Sequence, residues 1–310
     1  MKSNGSSGRT QMRSWTDAHW AVVSSAATGV QLQHDRLAWP LLAREGRRIL
    51  VGGDGDLFDE HVPLEFVASV FGVMALARQH TFQVLTRHPQ RLELFLAWLD
   101  RHCGWLPMRS SEASLCKAAL EEHGIDASRF AAAAQTTWPL SNVWLGLRAS
   151  APDLPAKLPR LLLSSSSLRW LYVDRQAAHI DLTCLEARRD EFSRDGERLS
   201  SGNGVRMSLN ALSGCIRHSG GAMVTTVGRL GWVVADARQN AALARCLAEQ
   251  CARAKVPIYC FGDRQGLLPR QMPKRLEEAP PVDRRTAAAH PAVTATQPSA
   301  GRWLSIPAAA

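Results

Sequence analysis

The chain has 310 residues, 45% of them apolar and 21% charged, which suits one large core or two modest ones and excludes a disordered polymer. Its net charge is +9 at pH 7, from 37 basic and 28 acidic residues. No apolar run reaches the roughly 18–20 residues that a membrane helix needs, and the polar start MKSNGSSGRTQMR lacks the apolar core of a secretory signal, so a cytoplasmic protein with no membrane partner is expected.

In chain order, apolar β-like runs alternate with helical patterns. RRILVGG (47–53) reads as a buried strand. PLEFVASVFGVMALARQ (63–79) reads as a helix opened by Pro63, with Phe66, Val67, Val70, Phe71 and Met74 as its apolar positions. HTFQVLT (80–86) is the next strand and PQRLELFLAWLDRH (89–102) the next helix. NVWLGL (142–147) and LRWLYVD (168–174) are strands, with PAKLPRLLLS between them as a helix. GWVVAD (231–236), the helix NAALARCLAEQCARAK (240–255) and VPIYCF (256–261) complete the series.

Alternation at this spacing predicts a parallel α/β architecture. Such folds bind ligands at the C-terminal ends of their strands. Those ends carry Asp54 and Asp56, then Thr86 and Arg87 followed by His88, then Asp174, then Asp236. Asp54 and Asp56 read either as ligand carboxylates or as ordinary turn residues in GGDGD. Thr86 and Arg87 read either as an anion site or as a capped strand-to-helix turn before Pro89. Gly53-Asp54-Gly55 is too short a match for a phosphate loop. Two segments look inserted, 104–137 as short helices and 183–222 as an irregular excursion. Residues 1–13 and 269–310 are expected to be disordered, leaving one folded domain over 14–268.

The seven cysteines are scattered, with no CxxC anywhere. Neither a disulfide framework nor a zinc site is expected, and no metal is assigned. His102, Cys103, Cys116 and His123 fit no standard ligand spacing. Cys246 and Cys251 lie five apart and read as small core residues. The serine run 164–167 lacks the glycines of a nucleophile elbow. The tail places Arg270, Lys274, Arg275, Arg284, Arg285 and Arg302 against Glu277, Glu278 and Asp283. Arg270, Lys274, Arg275, Arg284 and Arg285 are candidate phosphate contacts for a nucleic-acid partner. The plainer alternative is a solvated tail.

Several motifs carry a resemblance. DLFDEHVPLEFVASVFGVM followed by HTFQVLTRHPQRL, the opening Trp15-Thr16-Asp17 with Trp20, and Trp138-Pro139-Leu140 with Asn142 through Gly146 stand in one order. So do Ile180-Asp181-Leu182, Gly231 through Val234, and Gln250-Cys251 with Val256-Pro257. Together they resemble the phage gp-thirty-seven/gp-sixty-eight family, radical-SAM-like proteins of unknown function, over residues 14–262. The resemblance implies a radical-SAM-like partial (β/α) barrel with parallel strands, here with a helical insertion and a disordered tail. It also implies three cluster-binding cysteines, and these are missing. The first falls at Ala26, no cysteine precedes Cys103, and the stretch that would bear the other two is too short to hold them. The family's SxEP carboxylate falls at Asp174, followed by Arg175 in place of proline, and its GGESG turn reads Ala235-Asp236-Ala237-Arg238-Gln239. The expectation is a retained scaffold with no cofactor, serving as a pseudoenzyme or as a binding or partner protein. The alternatives are nucleic-acid binding by the basic tails and a metal-dependent activity of the barrel-mouth carboxylates. Without a cluster, Trp15 and Trp20 are expected to anchor the core.

Overall fold

The computed structural model describes residues 15–26, 29–103, 139–174, 179–188, 206–218 and 224–274. Seven parallel strands form one curled half-barrel sheet. They are β1 (Ala18–Trp20), β4 (Arg48–Val51), β5 (Thr81–Thr86), β6 (Val143–Ala149), β7 (Leu168–Val173), β12 (Trp232–Asp236) and β13 (Ile258–Phe261), and they lie side by side in that order. A hairpin of β2 (Val23–Ala26) and β3 (Gly29–Leu32) follows β1, and Gln33 N–H donates to the Val22 carbonyl at 2.8 Å where it closes. The expected insertion at 183–222 is not irregular where it is described. It contributes β8 (Leu185–Arg188), β9 (Arg206–Asn210) and β10 (Cys215–His218), which join β11 (Val224–Thr226) in an antiparallel sheet. The segment 104–137 lies outside the described residues.

The helices are a short α1 (Trp39–Leu42), α2 (Leu64–Leu76), α3 (Pro89–Cys103), α4 (Leu154–Leu163) and α5 (Ala241–Ala254). None of the described helices is long and apolar enough to cross a membrane. Proline at the first turn suits α4, since its missing N–H would have no helical partner there. Asn240 caps α5 by accepting from Leu243 N–H at 2.9 Å, and Lys255 ends it in the left-handed conformation at φ 56°. Helix α2 is buried from Phe66 to Met74 without a break, which explains why its sequence is apolar all round.

Alternation along the strands assigns their two faces. Ile49, Val51, Phe82, Val84, Val143, Leu145, Leu171 and Val233 pack in one core with α2, α3, α4 and α5. Leu50, Leu85, Trp144, Trp170, Tyr172, Trp232, Val234, Tyr259 and Phe261 form a second core on the other, concave face, together with Trp15. Trp15 stands edge-on to Trp170 and Trp232, with ring centroids 5.4 Å apart in each case. The opening WTD segment supplies this ring and is tied to the foot of β4. Thr16 Oγ1 donates to Arg48 O at 2.9 Å, Asp17 N–H donates to the same carbonyl, and Asp17 takes the Arg48 side chain at 2.7 Å. Trp20 faces the helix-side core and donates from Nε1 to Arg36 O at 2.8 Å.

Two predictions follow from this packing. A Cβ on Gly146 would lie 2.2 Å from the Trp170 ring. Gly146→Ala should therefore cost about 1–3 kcal/mol of stability, read from the urea midpoint, and an unchanged midpoint would show that the ring can step aside. The Arg48 guanidinium holds the Asp17 carboxyl below its ordinary value of 3.8. A carboxylate lowered in the folded state stabilises above its unfolded value, and that gain is lost as pH falls through the folded value. Asp17→Asn should lower Tm slightly at pH 7 for so exposed a pair, with the deficit closing under acid. A deficit independent of pH would assign the effect to packing.

Candidate functional site

The C-terminal rim of the sheet collects the charges that the strand ends predict. After β4 the chain turns at Gly52, φ +88°, where a Cβ would stand 2.3 Å from Leu85 O. Gly55 passes so close to the β2 hairpin that a Cβ would meet the Val23 backbone at 2.7 Å. The glycines of GGDGD thus serve two close backbone crossings. Asp54 lies 3.9 Å from His19 Nδ1, and its carbonyl accepts from Ser25 N–H at 3.4 Å. Asp56 ties the turn to β5: Oδ1 accepts from Phe58 N–H at 3.0 Å and Oδ2 from Arg87 N–H at 2.7 Å. Thr86 Oγ1 accepts from His88 N–H at 2.9 Å, capping the turn before Pro89.

Further along the rim, Arg148 grips Asp174 with a two-pronged fork at 2.8 and 3.1 Å, and Arg87 approaches the same carboxylate at 3.7 Å. Asp236 takes the Arg238 side chain at 2.9 and 2.6 Å, the Arg238 N–H at 3.0 Å and the Gln239 amide at 3.1 Å. Between these pairs Tyr172 and Phe261 stack with centroids 6.2 Å apart. Arg148 lies over the Tyr172 ring and Arg238 over the Phe261 ring. Burial pushes the Tyr172 phenol above its ordinary value. The rim therefore brings Asp56, Thr86, Arg87 and Asp174 together. Asp54 is instead coupled to His19, and Asp236 is closed within its own turn. Among the described residues no group of three His, Cys, Asp or Glu side chains could hold a metal. A small hollow opens beside Asp236, between β12 and the start of α5, with Val173, Asn240 and Leu243 among its walls.

Of the rim cations, sequence reading alone singled out Arg87 but not Arg148. Arg148 stands two residues after Gly146 on β6, and so on the concave side, a position that strand alternation could have flagged. Arg238, Tyr172 and Phe261 carry no local signal. A second omission lies deeper. Gln83 is the one carboxamide in the fully buried strand TFQVLT, and neither its oxygen nor its nitrogen has a partner among the described residues. The Trp15 Nε1–H is unpartnered as well. Leaving a buried polar group without a partner costs about 1–3 kcal/mol.

Three thiolates of the kind that the resemblance implies do not fit this chain. Ala26 ends β2 of a short hairpin, and the described cysteines with resolved side chains, Cys184, Cys215, Cys246, Cys251 and Cys260, all belong to the later half of the chain. Burial pushes the Cys251 thiol up to about 12 and the Cys260 thiol up to about 11, against thiolate ligation. Cys246 takes a contact from the Gln250 amide at 3.3 Å. The serine run is structural: Ser164 Oγ donates to Leu161 O, Ser166 Oγ to Leu168 O and Ser167 Oγ to Val143 O. Of the tail cations, Arg270 pairs antiparallel with Tyr259 of β13 through the main chain, and Lys274 is exposed. Arg275, Arg284 and Arg285 lie outside the described residues, as do Cys116, His123 and the side chains of His102 and Cys103.

Fold and rim together define a mixed α/β protein on a seven-stranded parallel half-barrel, with an aromatic concave face and charge pairs at its C-terminal edge. The family described as "Protein of unknown function (DUF5131)" matches residues 5–279, and the chain belongs to it. No curated protein and no solved structure matches the chain.

Burial of the two thiols has a direct consequence in solution. Native protein treated with iodoacetamide at pH 8 should be alkylated at exposed Cys184 and spared at Cys251 and Cys260 until it is unfolded. Mass mapping of the labelled peptides reads the result, and fast labelling of Cys251 in the native state would show that the α5–β13 core opens readily.

Proposed function

We propose that this protein is a phage-related, radical-SAM-like scaffold that carries no cluster and serves in the cytoplasm as a binding or partner protein, a pseudoenzyme of its family. One observation supports it above the others. The concave face of the half-barrel, where a large cofactor would have to lie, is taken up by Trp15, Trp144, Trp170 and Trp232, all at or below 3% exposure. The missing cysteines agree with this, as does the rim, where each carboxylate already has a cationic or main-chain partner.

In this reading Asp54, Asp56, Thr86, Arg87, Asp174 and Asp236 form the outer margin of a binding surface, and the folded domain carries basic tails at 1–13 and after the residues 269–271 that pair with β13. The retained motif residues act as struts between elements. His80 accepts from Arg47 N–H at 3.1 Å and bonds Pro40 O at 2.9 Å, and the Asn142 amide donates to Met74 O at 2.9 Å. The Gln250 amide bonds both Ile180 O and Leu182 N–H at 2.8 Å. A scaffold role explains why these residues persist while the cluster ligands do not.

Anaerobic reconstitution with iron and sulfide, followed by visible absorption, tests the proposal. The expected outcome is iron that washes away on desalting and no cleavage of S-adenosylmethionine. A stable four-iron absorption band together with that cleavage would falsify the reading.

A further inference from the structure

We propose that the foot of the half-barrel, the end opposite the charged rim, is a docking surface for the phosphate backbone of duplex nucleic acid. The inference rests on the binding-protein reading above and names the partner of that scaffold.

All the strands of the parallel sheet run the same way, so the segments that lead into them gather at one end. Among the described residues these segments are rich in cations and poor in acids. Arg44 and Arg47 precede β4, and Arg78 precedes β5. Arg229 precedes β12, Arg253 and Lys255 precede β13, and Lys274 follows the segment that pairs with β13. All seven are exposed. The acids of this end are Asp17, which Arg48 holds at 2.7 Å, and Glu45, which lies 3.9 Å from Arg47. At the rim the balance is reversed. Asp54, Asp56, Asp59 and Glu60 share one loop, Asp153 and Asp263 stand in two others, and Arg148 and Arg238 are matched by Asp174 and Asp236.

Hydrogen bonds join the cationic segments in two groups. The Gln79 amide donates to Ala43 O at 3.1 Å, Arg47 N–H to His80 Nδ1 at 3.1 Å and Thr81 N–H to Arg47 O at 2.8 Å, which sets 43–47 beside 78–80. Val233 N–H donates to Pro257 O at 3.1 Å and Trp232 Nε1–H to Gln271 O at 3.1 Å, which sets the feet of β12 and β13 beside the segment before Lys274. The residues leading into β6 and β7, 139–142 and 164–167, carry no charge between the two groups. Trp15, against Trp170 and Trp232, and Asp17, against Arg48, bridge the groups on the concave side. Five strand spacings of about 4.8 Å set the span from β4 to β13 at about 24 Å. A duplex carries about 14 phosphates over that length, so those on one side match the seven cations in number.

Helix dipoles account for part of the pattern, since Arg78 follows α2 and Arg253 and Lys255 end α5. Arg47, Arg229 and Lys274 stand at no helix end. Their repulsion in the free protein is offset by an external polyanion. The large hydrophobic residues exposed among the described ones are Leu42, Leu94 and Leu267, none of them aromatic. The foot therefore offers no platform for unstacked bases, which favours paired strands over single ones. Contacts to phosphate alone read no base sequence.

Fluorescence anisotropy of a labelled DNA duplex of mixed sequence, titrated with the full chain, is the test. Binding should be indifferent to base sequence. With about five phosphates neutralised, affinity should fall about 500-fold between about 50 and 200 mM salt. Arg47→Gln, Arg78→Gln and Arg229→Gln combined should weaken low-salt binding at least tenfold and reduce the salt slope by about one per residue. If the combined variant loses stability, Arg229→Glu alone carries the comparison, with a smaller loss of affinity expected. Glutamine at the tail positions Arg275, Arg284 and Arg285 should leave most of the affinity in place. No binding at low salt, binding insensitive to salt, or loss in the tail variant with the foot variant unaffected each overturns the proposal. So does tighter binding of single-stranded DNA or of phosphatidylserine vesicles. These outcomes are independent of the iron–sulfur reconstitution, so this inference can fail while the cluster-free reading stands.

Discussion

A parallel sheet has no solvent-tolerant face: both sides must be covered, and each side here is covered differently. Helices α2 to α5 shield the convex side, packing against Ile49, Val51, Phe82, Val84 and their neighbours. On the concave side the strands cover themselves, with tryptophans at Trp144, Trp170 and Trp232 and with Trp15 inserted among them. Much else follows from that constraint. Gly146 must lack a side chain because the Trp170 ring passes over it. The opening segment must be pinned at the foot of β4 so that Trp15 reaches the sheet.

The polar residues of the recognisable motifs take on a uniform meaning once their partners are known. His80, Asn142, Gln250 and Thr16 each satisfy main-chain groups of a different element. Such bonds contribute only about 0.5–1.5 kcal/mol apiece, but losing one strands a buried carbonyl or N–H at greater cost. Positions of this kind stay tied to the fold whatever becomes of its chemistry.

The rim illustrates the opposite situation. Arg148, Arg87 and Asp174 share one cluster, and Arg238 and Asp236 another, with Tyr172 and Phe261 stacked between them. Charges near a partly buried edge are tolerated because each has a partner, and a self-paired edge has little electrostatic pull left for a metal. Among the described residues the Gln83 amide and the Trp15 Nε1–H, deeper on the same face, have no partner, so the polar groups at the edge are matched while these in the interior are not.

The sequence by itself determined the alternation of strands and helices, because apolar period and flanking prolines are local properties. The strands expected at 47–53, 80–86, 142–147, 168–174, 231–236 and 256–261 all lie in the sheet, and the four long helices lie where their periodicity placed them. It also determined the absence of an early cysteine motif, which is a matter of composition and spacing. Only the tertiary structure decided which charges meet, since Arg87, Arg148 and Asp174 come from three strand ends brought together by strand order. The short β1, the β2–β3 hairpin and the antiparallel sheet of β8 to β11 were not legible either. Strands of three to five residues carry too little periodic pattern to be read alone, and they take their form from the strands they pair with. The roles of Trp15 and Gln83 belong to the same class, because whether a buried polar atom has a partner is a property of the assembled core.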